Sequence, residues 1–279
     1  MASLIEDTKR SAVQPEEGFL ANLSRSIADL IEADNLQDFF GRLSSLLNGL
    51  ITFDYLIVYQ FEAGHEAKLL YCNIDREVLL SHMAHYQAGL YLLDPFYVAA
   101  ITNHQQGVYR IDQVAPMEFE ASEYYNAHYK QVTISDEVRY LIQIDESRWA
   151  HIFVERDVSH PPFSGDDFYK LTSLEPLVRS LVVRRWERLY TKGSQPQQLK
   201  EPLNLGIRSS ISRLGDSELT KREIDVVELV LKGHASKSIA DHLCISEGTV
   251  NNHKRNLYAK LGIKSQGQLF NVFLSELFG

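Results

Sequence analysis

Residues 249–264 hold the clearest chemistry in the chain. Asn251, Asn252, Lys254 and Arg255 cluster there, with Val250, Leu257 and Leu261 at helical spacing among them. Wound into a helix, the three apolar residues share one side, able to pack on Ile239 and Leu243 of a preceding helix. The opposite side presents two amides, an ammonium and a guanidinium. Amides and guanidinium groups suit base edges in a major groove, and ammonium groups suit phosphates. The segment has four basic residues (Lys254, Arg255, Lys260, Lys264) and no acidic one. A solvated amphipathic helix in a small bundle has the same pattern, so periodicity alone leaves both readings open.

The elements that would position these residues are marked by their caps. Thr220 with Glu223 three residues on forms a capping box for a helix from Glu218 to about Lys232, ended by Gly233. A second helix spans Ser236–Leu243, and Cys244–Ile245–Ser246 make the turn. Ser246 caps the third helix, Glu247–Leu261, with Gly262 in its C′ position. Backbone N–H groups at that helix start add sites for phosphate. Ser265–Leu277 is the fourth helix, its apolar face supplied by Leu269, Phe270, Val272, Phe273 and Leu277.

The segment LTKREIDVVELVLKGHASKSIADHLCISEGTVNNHKRNLYAKLGI resembles the DNA-binding domain of the LuxR/NarL (FixJ) family of bacterial regulators. The matching positions are Leu219–Thr220, Arg222–Glu223, Gly233, Lys237, Ile239–Ala240, Leu243, Ile245–Ser246, Thr249–Val250, His253, Asn256 and Lys260–Leu261–Gly262. The resemblance implies a four-helix unit whose third helix enters the major groove and whose fourth pairs in a homodimer. It implies double-stranded DNA and RNA polymerase as partners. It assigns Asn251, Asn252 and Arg255 to base edges and Ser246, Thr249, Lys254 and Lys237 to phosphates. His253 is implied to pack at the helix interface. Asn251 stands where the family commonly has Lys, Ala235 where it has Ser, and Gln266 where it has Arg. Asn at the first position tilts the expected readout toward adenine, which an amide meets with two hydrogen bonds.

Length and charge set the frame around this module. At 279 residues, with 44% hydrophobic and 23% charged residues, the chain has the composition of an ordinary globular protein of one larger and one smaller domain. Net charge is −9, and the whole acidic excess lies in residues 1–215. Residues 216–279 hold eight basic and eight acidic residues. Screening confines an ionic contact to about 8–10 Å, so an acidic body does not exclude DNA at one basic helix. The polar, acidic start lacks the pattern of a secretory signal, and no apolar run nears the roughly 20 residues of a membrane span. A cytoplasmic, membrane-free protein is expected. Cys72 and Cys244 read as small buried hydrophobes in a reducing compartment.

The first 190 residues alternate between helical and extended patterns. Residues 1–17 read as a flexible tail. Phe19–Leu30 and Leu36–Leu50 are helical, the second capped by Asp34 or Asn35. Phe53–Phe61 and Lys68–Ile74 form a predicted hairpin, Arg76–Gln87 and Asp94–His104 are helical, and Gly107–Ile111 is extended. Phe119–Lys130 reads as one helix. Ser135–Ile144 and Arg148–Arg156 form a second hairpin, and Ser164 caps a long helix from Gly165 to about Tyr190. The fold class expected is α+β: an α/β/α sandwich with a mainly antiparallel sheet over 18–190, a linker over 191–217, and an all-α helix-turn-helix domain over 218–279. Leu203, Leu205 and Ile207 in the linker are candidates for docking.

The sandwich is similar to autoinducer-binding domains, and more loosely to PAS and GAF domains. In autoinducer receptors an Asp-Pro pair supplies a carboxylate that accepts from the ligand amide, and Asp94–Pro95 stands here. Asp-Pro is equally an ordinary helix start. The expected pocket is lined by Tyr55, Tyr59, Tyr71, Tyr86, Asp94, Phe96, Tyr97, Tyr109 and Trp149, with Tyr140 a further sheet tyrosine. The Trp of the preceding helix is missing, where the chain reads Ser81–His82–Met83–Ala84–His85. That absence bears more on an acyl-homoserine lactone than on a small-molecule effector generally. A phosphoacceptor receiver is rejected: Asp54 precedes its strand and an early acidic pair is absent.

No catalytic constellation stands out: there is no Gly-x-Ser-x-Gly elbow and no Cys/His nucleophile pattern. His82 and His85 share a helix face without a further ligand at metal spacing, so no metal or cofactor is expected. The reading is a one-component transcriptional regulator, dimeric on DNA and controlled by a small-molecule effector in its N-terminal domain. The alternatives are control by protein partners without a ligand, an acyl-homoserine lactone receptor, or an enzymatic sensor on a DNA anchor. The fourth helix and the Gly165–Tyr190 helix are the expected dimer surfaces.

Overall fold

The computed structural model describes residues 18–62, 65–74, 83, 86–87, 89–131, 134–190, 211, 214 and 219–278. The expected tail, most of the Arg76–Gln87 helix with His82 and His85, and Leu203, Leu205 and Ile207 lie outside them. The chain divides into two compact units, residues 1–53 and 54–279.

The first unit holds α1 (18–31) and α2 (Leu36–Asn48). Of the two candidate caps for α2, Asn35 takes the role, its side chain accepting from Asp38 N. Phe39, Phe40, Leu43, Leu46 and Leu47 recur at three- and four-residue steps and are all buried.

The second unit is built on a five-stranded antiparallel sheet in the order β2-β1-β5-β4-β3. Its strands are β1 (Tyr55–Glu62), β2 (Lys68–Cys72), β3 (Gly107–Arg110), β4 (Ile134–Gln143) and β5 (Arg148–Asp157). Register decides the two faces. Tyr59 lies opposite His151, Ile57 and Arg139 flank Phe153, and Glu137 lies opposite Glu155, so all of these share one face. Val58, Gln60, Tyr140, Ile152 and Val154 line the other.

That second face is covered by α6 (Gly165–Tyr190), which Ser164 starts by accepting from Asp167 N at 3.1 Å. Tyr140 donates to the Leu171 carbonyl at 2.8 Å, and Trp186 Nε1 donates to Gln60 at 3.2 Å. The first, inner face is covered by a 3₁₀ turn at Leu90–Leu93 and by α3 (Pro95–Ile101), followed in the chain by α4 (Ile111–Val114) and α5 (Glu123–Ala127). The continuous helix expected over Phe119–Lys130 is instead two 3₁₀ turns around α5. Ser122 is the cause: it sits extended and its hydroxyl accepts from Tyr125 N, starting a new helix rather than continuing one.

Four helices complete the unit: α7 (Lys221–Leu231), α8 (Ser236–Leu243), α9 (Glu247–Leu261) and α10 (Gln266–Phe278). The Thr220–Glu223 capping box is reciprocal, and Glu223 also receives Lys260 Nζ at 2.7 Å. Gly262 ends α9 at φ +67°, a left-handed conformation that favours glycine. Val226, Val227, Ile239, Val250, Leu257, Leu269 and Phe273 are fully buried between these helices. Within the segment expected as linker, Ile211 and Leu214 are buried in the same cluster. Cys244 departs from expectation. It takes the left-handed turn position after α8 at φ +52° and its side chain is exposed.

Candidate functional site

On α9, burial of Val250 and Leu257 turns the opposite side outward, and Asn251, Asn252 and Arg255 are exposed. Ser246 and Lys237 are exposed as well, while Thr249 is half-buried with its hydroxyl 2.8 Å from that of Ser246. Lys254 differs from the outward phosphate ligand the resemblance implied. It is half-buried between α8 and α9, its Nζ donates to Ser236 Oγ at 3.2 Å, and burial lowers its pKa. Ser236 Oγ in turn donates to Asn251 Oδ1 at 3.1 Å, and Arg255 donates to Asn252 Oδ1 at 3.1 Å. The result is a convex face of amides and cations on one helix, able to enter a groove lined with hydrogen-bonding base edges.

The second site is the inner face of the sheet. Asp94 is the N-cap of α3, with Pro95 as its first residue, so the helix-start reading of that dipeptide is realised. Its carboxylate is also the centre of a buried cluster. Oδ1 accepts from Phe96 N at 2.9 Å, and Oδ2 accepts from Tyr86 at 2.7 Å and from Arg139 Nη1 at 2.5 Å. Arg139 Nη2 donates to Glu137 at 2.9 Å, and Tyr129 donates to the other oxygen of Glu137. The guanidinium lies between the rings of Phe153 and Phe96, 3.6 and 4.0 Å from their centroids.

Around this ion pair the inner face carries buried polar atoms with no hydrogen-bond partner among the described residues: the hydroxyls of Tyr59, Tyr97 and Tyr124, both ring nitrogens of His151, Glu155 Oε2 and Arg139 Nε. Such groups are uncommon in native interiors and mark sites of polar ligands or bound solvent. Burial, and next the charge of Glu137, pushes the Glu155 carboxyl up to about 8. Burial and the nearby Arg139 charge hold His151 far below its ordinary value, so it is neutral. Burial raises the Tyr59 and Tyr97 phenols beyond titration at neutral pH.

Of the residues expected to line a pocket, Tyr59, Tyr86, Asp94 and Tyr97 come together, with Tyr59 and Tyr86 rings 5.3 Å apart. Phe96 and Trp149 form an adjoining cluster, with Tyr109 packed at its margin. Tyr71 lies opposite Val58 on the other face, and Tyr55 sits at the sheet end with its hydroxyl 3.4 Å from Asp157. Glu137, Arg139, His151, Glu155, Tyr124 and Tyr129 were not anticipated. For Glu137, Arg139, His151 and Glu155 the signal was a polar residue recurring on one face of strands that are otherwise apolar; Tyr124 and Tyr129 lie outside the strands, in α5 and the 3₁₀ turn after it. Asp54, set aside as a phosphoacceptor, accepts from Asp157 N at 2.8 Å and lies 2.9 Å from His160 Nδ1.

The two sites are joined by contact. The start of α5 lies against the helical module: a Cβ on Gly233 would sit 2.9 Å from Ser122 Cβ, and one on Gly267 would sit 3.1 Å from Glu123 Oε1. One apolar cluster runs from Tyr59 and Tyr86 through Phe119 and Tyr124 to Val230, Phe270 and Phe273. The expected dimer face of α10 is therefore largely spent inside the chain, with Leu269, Phe270 and Phe273 no more than 3% exposed.

Comparison with known proteins identifies both halves. Residues 217–273 match the family of bacterial regulatory proteins, luxR family. An HTH-type transcriptional regulator in the exeN 3'region of Aeromonas salmonicida is 32% identical over 192 residues, 66% of this chain and 94% of that protein. The oxygen regulatory protein NreC of Staphylococcus aureus is 40% identical over 58 residues, 21% of this chain and 27% of that protein. The crystal structure of the VqsR LBD domain from Pseudomonas aeruginosa superposes with a TM-score of 0.50 at 25% identity, covering 59% of this chain and 96% of that one. These are similarities to DNA-binding regulators, not to enzymes. No helix among the described residues is long and apolar enough to cross a membrane.

Proposed function

This chain belongs to the LuxR family of bacterial regulatory proteins, and on that footing we propose that it is a one-component transcriptional regulator, cytoplasmic and homodimeric, switched by a small molecule. Residues 18–190 form the sensor and residues 218–279 the DNA-binding domain. Two copies of α9 enter successive major grooves about 34–36 Å apart, with Asn251, Asn252 and Arg255 at base edges and Lys237, Ser246 and Thr249 at phosphates. The bound dimer recruits RNA polymerase.

One observation carries the effector reading: the buried polar atoms of Tyr59, Tyr97, Tyr124, His151 and Glu155 on the inner face of the sheet, which have no hydrogen-bond partner among the described residues. An effector that satisfies them binds the folded state alone and stabilises it in proportion to the logarithm of its concentration. Because the inner-face cluster continues into Val230 and Phe273, reordering there alters the packing of α7 and α10. Native mass spectrometry of the full-length chain purified from its host, with a thermal-shift screen, tests this. A copurified compound, or stabilisation by one compound class, is expected; an empty chain stabilised by no compound refutes effector control.

A second reading is control by a protein partner without a ligand. It is favoured by the Asp94 carboxylate, which already accepts three donors from its own chain. The same saturation weighs against a ligand whose amide would donate to Asp94, as in acyl-homoserine lactone receptors.

A further inference from the structure

The hydrogen bonds that α9 makes with α8 and with itself determine which parts of its side chains remain for DNA. A lysine ammonium has donors and no acceptor, so the contact of Lys254 Nζ with Ser236 Oγ consumes a lone pair of that hydroxyl. The hydroxyl proton is then directed to its other neighbour, Asn251, at 3.1 Å. An amide nitrogen cannot accept it, and Asn251 turns Oδ1 toward Ser236, which keeps its NH₂ group for the exposed side. The same logic applies one residue on. Arg255 is donor-only, so Asn252 turns its Oδ1 to the guanidinium 3.1 Å away and keeps its NH₂ free.

The exposed face of α9 is thus made of donors: two amide NH₂ groups and the remaining N–H groups of Arg255. In the major groove guanine offers two adjacent acceptors, N7 and O6, whereas adenine offers one acceptor and one donor. Two-bond recognition of adenine by asparagine needs the amide oxygen and nitrogen side by side at the base edge, and here both oxygens are tied back. We infer that α9 selects guanine over adenine at the bases met by Asn251 and Asn252. Ser236, on the neighbouring helix, is the positioning residue that enforces this at Asn251. The inference rests on the proposal that α9 reads the major groove, and it replaces the adenine preference expected from the residue type of Asn251 alone.

Selection of bound duplexes from a random-sequence pool, using the full-length protein and its variants, tests the inference. Guanine is expected at one or more positions of each half-site in the wild-type enrichment. S236A releases the Asn251 amide to rotate, so at a single half-site position the guanine-over-adenine preference should narrow by roughly tenfold. K254M should act in the same direction at the same position, because the hydroxyl proton is no longer directed. S236T keeps the hydroxyl and should restore the wild-type preference. A change in overall affinity without a change of preferred base would show a merely structural role and overturn the inference. So would adenine in the wild-type enrichment, or an S236A profile identical to wild type. Failure of every variant to enrich any duplex would instead overturn the DNA-reading proposal beneath it.

Discussion

The guanidinium of Arg139 and the carboxylate of Asp94 meet at 2.5 Å with 2% and 0% of their side chains exposed. The pair joins the start of α3 to the second strand from the sheet edge, across 45 residues of sequence. Taking two charges out of water costs several kcal/mol each, which only good geometry and further hydrogen bonds offset. Those are present in the bonds to Phe96 N, Tyr86 and Glu137 and in the flanking rings of Phe96 and Phe153. The sensor therefore fills with its own cation the place where the family resemblance expected a ligand.

Removing one charge should be far worse than removing all three. D94N keeps an N-cap oxygen for Phe96 N but leaves Arg139 buried with only Glu137. A loss of about 3–5 kcal/mol in urea unfolding is expected. The triple variant D94N/E137Q/R139M, which keeps the N-cap oxygen and leaves none of the three charges buried, should lose measurably less than D94N. Equal losses would mean that an unpaired buried charge is not what D94N costs.

Glu155 gives a pH dependence of definite sign. Its folded-state pKa, about 8, lies above the ordinary 4.5, so between those values the folded protein holds a proton the unfolded chain has released. Its contribution is therefore fully present below pH 4.5 and is lost as pH rises through 8, by up to about 1.4 kcal/mol per unit. Neutral His151 works oppositely, its contribution present above pH 6.5 and falling as pH drops below that. The difference between E155Q and wild type cancels the His151 effect. E155Q should gain stability relative to wild type from pH 5 to pH 8.5 in chemical denaturation, and a flat difference would contradict the assignment.

How much of this could be read from the residues differs between the two sites. The helical module was legible because Thr220 and Ser246 start helices and Gly233 and Gly262 end them, local effects that need no partner. The inner face was legible only where residue type announced it, in Tyr59, Tyr86, Asp94 and Tyr97. Glu137, Arg139, His151 and Glu155 were passed over because polar residues in alternation normally face water. Here Val138, Tyr140 and Ile142 on the alternate positions of β4 are buried too, so both faces are covered. Which element covers the second face is a long-range fact that strand periodicity does not contain. The surroundings of Lys254 were hidden for a similar reason: its type suggested phosphate, and nothing local showed that its place on the helix sets its ammonium on Ser236 of α8.

Two glycines at the junction between sensor and helical module should respond differently to alanine. Gly233 has φ +86°, and its added Cβ would lie 2.9 Å from Ser122 Cβ, a short side chain with no room to give. G233A should lose about 1–3 kcal/mol from strain alone, with earlier proteolysis between sensor and helical module. The Cβ of G267A would meet only the end of the Glu123 side chain, 3.1 Å away, which can swing aside. That variant should stay within about 0.5 kcal/mol of wild type. Similar melting curves for both would show that the junction does not hold the two parts together.

Charge on the reading face separates affinity from selectivity. Lys237 is exposed near the start of α8, and in the proposed complex it meets phosphate, whose contact carries no sequence information. K237A should weaken cognate and random duplexes alike and lower the slope of log K against log salt by about 0.9 per subunit bound. Arg255, also exposed, is proposed to reach a base edge, and R255A should then lose roughly 1–3 kcal/mol of discrimination at one position of each half-site. Titrations of both variants on a selected and a scrambled duplex, at three salt concentrations, distinguish the roles. If R255A lowered binding to both duplexes equally, α9 would be held on phosphates by Arg255 as well, and base reading would fall to the asparagines alone.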